Sequence, residues 1–203
     1  MYAGNVGMRG GVAAKLIRRE RAPLSWRLRN TMRVAFVVGW LGYHLGHLYS
    51  RLFGAPVLLG RLDAVVKRSD GSVIDYGCLG YRVVTTAFVT FVVDQLQTET
   101  SVFGDFKYHD SGVGVVAENI TDTAMGTTDG EARVAGTQTE GAANAYVSVG
   151  TIAYTTTKAI TEHGLFNDVS AGTLMDRTVF SAINVVNLDS IQFTYTLTCT
   201  AGS

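Results

Sequence analysis

The clearest pattern in the chain lies near its end. In SIQFTYTLTCT, Ile191, Phe193, Tyr195, Leu197 and Cys199 alternate with Ser190, Gln192, Thr194, Thr196 and Thr198. Successive side chains of a strand point to opposite faces, so strict alternation predicts a half-buried antiparallel strand. Leu62–Lys67 and Val73–Cys78 flank the turn signal Ser69-Asp70-Gly71 and predict a hairpin. Phe103–His109 and Thr173–Phe180 read as further strands, and residues 131–139 with 145–157 as a second hairpin around Glu140-Gly141. Phe88, Phe91, Val92 and Leu96 lie at helical spacing and predict a short helix within Thr85–Gln97, across one end of the sheets. Residues 110–130 are rich in Gly, Asp and Thr and predict a long loop. Short strands separated by turns imply a sandwich or barrel. The expected fold is mainly β: an antiparallel, jelly-roll-like sandwich with one short helix. Its expected core contains Phe106, Tyr154, Phe180, Ile191, Phe193, Tyr195 and Leu197.

The first 56 residues have a different texture and predict a basic helical arm ahead of a β-domain over 57–203. VAAKLIRRER (12–21) reads as a short basic helix, interrupted by Pro23. Ser25 then offers a cap for a second helix running from about Trp26 to Phe53. Gly54-Ala55-Pro56 ends that helix and marks the boundary.

Charge sharpens this division. Residues 1–60 hold nine Arg or Lys against the single acid Glu20, a net of +8. Residues 61–203 hold eight bases against sixteen acids, a net of −8. A basic arm seeks phosphates, anionic lipid or an acidic protein face. The residues expected to make such contacts are Arg18, Arg19, Arg27, Arg29 and Arg33, with Trp40 and Tyr43 on an apolar face of the helix. Trp26 is the only aromatic among the arginines, so sequence-specific nucleic-acid reading is not expected. Non-specific contact with packaged DNA is compatible with the charge. Val34–Ser50 carries no formal charge, yet at 17 residues it falls short of the roughly 20 needed to span a bilayer. A helix buried by protein in an assembly is the preferred reading. A membrane anchor through residues 33–53, flanked by arginines and by Trp40 and Tyr49, is its rival.

No catalytic, cofactor-binding or metal-binding set emerges. His109-Asp110-Ser111 are consecutive, whereas a triad draws its members from separate segments, so a strand end entering a polar turn is expected there. Glu162-His163-Gly164 lacks a second histidine at metal spacing and reads as a turn. His44 and His47 supply only two ligands and are expected to be a packed pair. Asp176 and Arg177 point to opposite faces of a strand, so one of them is expected to meet a partner across the sheet or an interface. Cys78 and Cys199 have no CxxC spacing; they are expected to be buried free thiols, with a single disulfide as the alternative.

FKYHDSG (106–112), ARVAGTQTEG (132–141), ITEHGLF (160–166), GTLMDRTVFSAINV (172–185) and DSIQFTYTLT (189–198) form a collinear set. Together they resemble a family of small structural proteins encoded by tailed bacteriophages. The resemblance covers roughly residues 61–203 and implies a virion component assembled in the host cytoplasm. It implies contacts with further copies and with other virion proteins such as the major capsid protein. A capsid cement or decoration protein is the expected role, with a station in the tail machinery as the alternative.

Overall fold

The computed structural model describes residues 19–96, 106–142 and 144–200. The described elements, in order, are β1 (Arg19–Arg21), α1 (Leu24–Thr31), α2 (Val34–Phe53), β2 (Val57–Lys67), β3 (Val73–Val84) and α3 (Thr86–Leu96). They continue with β4 (Tyr108–Gly112), β5 (Val134–Ala135), β6 (Thr137–Glu140), β7 (Ala145–Ala153), β8 (Lys158–Phe166), β9 (Leu174–Val185) and β10 (Ser190–Thr200). Two sheets share β3. One runs β6-β7-β10-β2-β3, and the other runs β3-β9-β8-β4-β5. The chain is thus mainly β, with sandwich layering.

β10 is the central strand of the first sheet, paired along its length with β2 and over most of it with β7. Ile191, Phe193, Tyr195 and Leu197 point inward, as the alternation predicts, while Cys199 at the strand end is exposed. Phe106, Tyr154 and Phe180 are buried with them, so all seven expected core residues lie in the interior. The hairpin of β2 and β3 turns at Arg68–Ser72, where Gly71 adopts φ 86°. α3 forms where the helical spacing predicts it. The Thr85 hydroxyl accepts from the Phe88 N–H at 3.2 Å, capping the helix. Phe88 and Phe91 meet Phe106 edge-on at 5.0 and 4.9 Å.

The front of the chain differs from expectation in three ways. Arg19–Arg21 form a strand and not the end of a helix; the rest of the helix expected over 12–21 lies outside the described residues. β3 offers these residues an open backbone edge, and β1 pairs there in parallel with Val73–Asp75. The long helix from Trp26 is broken at Met32–Arg33, where Arg33 is extended (ψ 137°). Ser25 is not its cap, because α1 begins at Leu24 with Pro23 at the cap position and no side-chain cap.

The break has a packing cause. β9 pairs with β3 only at Val83–Arg177 and Val84–Asp176, so the two strands splay apart beyond that point. α1 fills the seam. The Trp26 indole donates to the carbonyls of Ser181 (3.1 Å) and Ala182 (2.8 Å), and its ring meets Tyr76 edge-on. Asn30 donates to Leu79 O and accepts from Ser181 N, both at 2.9 Å. α2 then follows a different line, over β3 and β2. A division at residue 56 therefore separates Trp26 and Asn30 from the core they complete.

The second sheet is buried on both faces, which hides it from an alternation test. Its inner face joins the core. Its outer face lies under the segment following β4. Ile160 through Phe166 are all buried, so β8 occupies the stretch expected to turn at Glu162-His163-Gly164. β4 starts at Tyr108 and keeps His109, Asp110, Ser111 and Gly112 buried, in place of a strand ending in an exposed polar turn.

Candidate assembly interface

Two places bring together residues with functional potential: a sealed polar interior and an open helix face.

In the interior, β4 and β8 pair so that Ser111 lies opposite His163 and Gly112 opposite Glu162. The fragments His109-Asp110-Ser111 and Glu162-His163-Gly164, treated separately in the sequence, thereby become neighbours. His109 Nδ1 and His163 Nε2 lie 3.0 Å apart, and His109 Nε2 lies 2.8 Å from Ser148 Oγ on β7. The distances suit a nucleophile and its base, but all three residues are 0% exposed and the His163 ring stacks at 4.5 Å on Phe193. None of the three side chains is open to solvent among the described residues. The arrangement ties the two sheets together through the His163–His109–Ser148 contacts.

On the outer side of β8, Glu162 is also 0% exposed. Its carboxylate accepts from the backbone N–H groups of Gly114 (3.1 Å), Gly126 (3.1 Å) and Thr127 (2.6 Å), and from Arg177 Nε (2.7 Å). Arg177 also reaches Asp122 at 3.0 Å. The partner expected across the sheet for one of Asp176 and Arg177 is therefore Glu162, which Arg177 reaches diagonally from its register position opposite Gly164. Glycine is required at 114 and 126, because a Cβ at either would collide with the Glu162 carboxylate or the Arg177 guanidinium. Asp110 takes an ion pair from Arg133 at 3.0 Å, and that guanidinium stacks on Phe166. Burial pushes the Asp110 pKa upward, against the pull of Arg133. These groups clamp the loop over the sheet.

The open face belongs to α2. One side of this helix packs on its own sheets: Phe36 and Tyr43 meet the Tyr81 ring at 5.7 and 4.9 Å. Gly39 and Gly46 let the helix backbone approach closely; a Cβ would come within 2.8 Å of Tyr81 O and of Leu59 Cδ2 respectively. Gly54 ends the helix in the left-handed region (φ 65°), as the Gly-Ala-Pro signal predicts. The other side is apolar and open. Val34, Val37, Val38, Leu41, Leu45 and Leu48 are exposed, and Tyr49, Leu52 and Phe53 continue the strip. Leu24, Leu28 and Met32 add an exposed apolar group on α1 and just beyond it. Exposed apolar surface of this extent marks an interaction site.

The structure does not bring the expected arm residues together on this face. Arg18 lies outside the described residues. Arg19 pairs with Asp75 at 2.8 Å, within its own chain. Arg27 and Arg29 are exposed on α1. Arg33, at the α1–α2 break, has its pKa lowered by burial. Trp40 is 46% exposed and packs on His44, while Tyr43 turns inward to Tyr81. His44 and His47 each meet the Tyr43 ring edge-on. None of the described helices is long and apolar enough to cross a membrane. No cluster of three or more His, Cys, Asp or Glu able to hold a metal occurs among the described residues. Cys78 and Cys199 are both free, but neither is fully buried as expected: Cys78 is half-buried and Cys199, at the end of β10, is exposed. No family model, curated protein or solved structure matches the chain.

Proposed function

We propose that this chain is a structural protein that acts by assembly, as a capsid-associated cement or decoration protein of a tailed bacteriophage. The single observation that carries the assembly reading is the exposed apolar side of α2, on a helix whose opposite side is anchored to the body by Tyr43, Phe36 and two close-approach glycines. A surface like this on a well-packed domain is stabilised when a partner covers it. The particle is proposed from the resemblance of the blocks between residues 106 and 198. Two finer expectations travel with it. One is jelly-roll-like connectivity, supported by the two-layered antiparallel pairing. The other is a basic arm engaging neighbouring subunits or packaged DNA, supported by nine bases against one acid in residues 1–60.

Quantitative mass spectrometry of purified particles tests this reading. Detection at the many copies of a shell lattice is the expected result. The few copies of a ring would move the protein to the tail machinery. Absence from washed particles, with the chain recovered in host membranes, would replace the virion reading with the membrane one.

A further inference from the structure

The open side of α2 has a period as well as a composition. Val34, Val38, Leu41, Leu45, Leu48 and Leu52 follow one another at intervals of 4, 3, 4, 3 and 4, and are exposed by 49 to 79%. This is the a/d spacing of a coiled-coil seam, in which each apolar knob enters a hole formed by four residues of a facing helix. The stripe on the opposite side, Phe36, Gly39, Tyr43, Gly46 and Ser50, is the one seated on the body. α2 is therefore folded and oriented before any partner arrives, and association does not bear the cost of nucleating a helix.

We propose that α2 pairs through this seam with α2 of a second copy of the chain. The pairing deepens the assembly reading given above and rests on it. A heptad repeat selects another helix of the same repeat, and α2 itself supplies one of matching length. The seam itself, Val34–Ser50, has no formal charge, and Arg33 and Arg51 set like charges at the ends of the pair in either orientation, outside the apolar contact. On one flank, Ala35 and Gly42 are small enough for a neighbouring helix to approach. A helix of 20 residues is about 30 Å long. Two of them packed along the seam bury on the order of 1,000 Å² in total, about the threshold for a biological interface and at its weak, reversible end.

Sedimentation equilibrium of the full chain decides the matter, with the wild type compared against Leu45→Glu. The expected result is a dimer or higher oligomer for the wild type and a folded monomer for Leu45→Glu, with an unchanged circular-dichroism spectrum because Leu45 is half exposed, and a melting temperature that no longer depends on protein concentration. As a second readout, Leu41→Cys and Leu45→Cys, each in a Cys78→Ser/Cys199→Ser background, should give interchain disulfides on mild oxidation, alone or when mixed. A monomeric wild type, or an oligomer that survives Leu45→Glu without crosslinks, overturns the pairing. If that chain still enters particles, assembly stands and uses another surface. If the pairing forms but no particle contains the protein, the virion reading falls and the pairing stays. A wild-type monomer that co-sediments with phosphatidylglycerol vesicles would assign the strip to lipid and overturn the pairing.

Discussion

The side-chain carbonyl of Asn30 accepts a hydrogen bond from the backbone N–H of Ser181 at 2.9 Å, across a gap that β-pairing leaves open. The same amide donates to Leu79 O, so one side chain replaces a missing rung between β3 and β9. Both backbone groups would otherwise be left unpaired in a buried seam, at about 1–3 kcal/mol for each. Asn30→Ala should lower unfolding free energy by about 2–4 kcal/mol. Asn30→Asp should do no better, because a carboxylate cannot donate to Leu79 O. Deleting residues 1–56 removes Trp26 as well, and the truncated chain should melt far below the full one. Chemical denaturation with circular dichroism measures all three; an Asn30→Ala variant as stable as wild type would show that the seam does not depend on α1.

Phe193 supplies the inner-face check on the alternation of β10. Its ring stacks on His163 at 4.5 Å and lies 6.4 Å from Phe180, so it joins the first sheet to the second. Phe193→Ala should cost about 3–5 kcal/mol. A melting temperature within error of wild type would mean that the strand faces are assigned the wrong way round.

Legibility in the sequence followed exposure. β10 was readable because one of its faces meets a more polar environment, so Thr and apolar residues alternate strictly. β8 was not, because Ile160–Phe166 is covered on both faces and its polar members, Glu162 and His163, have partners far away in the sequence. A clue was present in the density of glycines at 112, 114 and 126, which marks backbone held close to some group without naming Glu162. α1 was legible as a helix, but not as part of the core. A seam between two splayed strands leaves no local pattern, and Trp26 in a basic stretch looks like surface. The heptad stripe of α2, by contrast, stands in the sequence itself; its exposure follows from the seating of the opposite stripe on β2 and β3.

Glu162 is expected to control the loop over the second sheet. Removing its carboxylate leaves Arg177 nearly buried with Asp122 as its remaining acidic partner, and frees three backbone donors. Glu162→Ala should cost about 3–5 kcal/mol, the range for breaking a buried pair on one side. Its signature should be local: cleavage within residues 113–127 under limited proteolysis, at a temperature where wild type resists. Cleavage spread evenly over the chain would point to global destabilisation instead.

The two thiols should differ in reactivity. Burial, reinforced by the negative charge of Asp63, pushes the Cys78 thiol up to about 11. At pH 8 only about one part in a thousand is thiolate, the form that reacts. Cys199 is exposed at the end of β10, beside an apolar cavity of about 300 Å³ lined by Leu58, Phe88 and Met175; burial raises its pKa too. Iodoacetamide at pH 8 should modify Cys199 first and Cys78 only after denaturation, as read by peptide mass mapping. Rapid labelling of Cys78 in the folded chain would contradict the packing of β3.

Two buried carboxylates give acid stability opposite signs. Burial raises the Asp189 pKa, but the Val186 N–H, the Arg68 guanidinium at 2.8 Å and the Ser69 N–H outweigh it, and the net value lies below the usual carboxylate range. Its stabilisation is complete above the unfolded value of about 4 and is lost as pH falls through the lower folded value. Asp110 is shifted upward, chiefly by burial. Its term favours the folded state most below about 4 and fades as pH rises through the raised folded value. Asp189→Asn should therefore flatten the loss of stability below pH 4 relative to wild type, and Asp110→Asn should steepen the net fall from neutral pH into acid. Urea titrations across that range resolve the two slopes. A parallel change in both variants would show that neither carboxylate is held as the geometry requires.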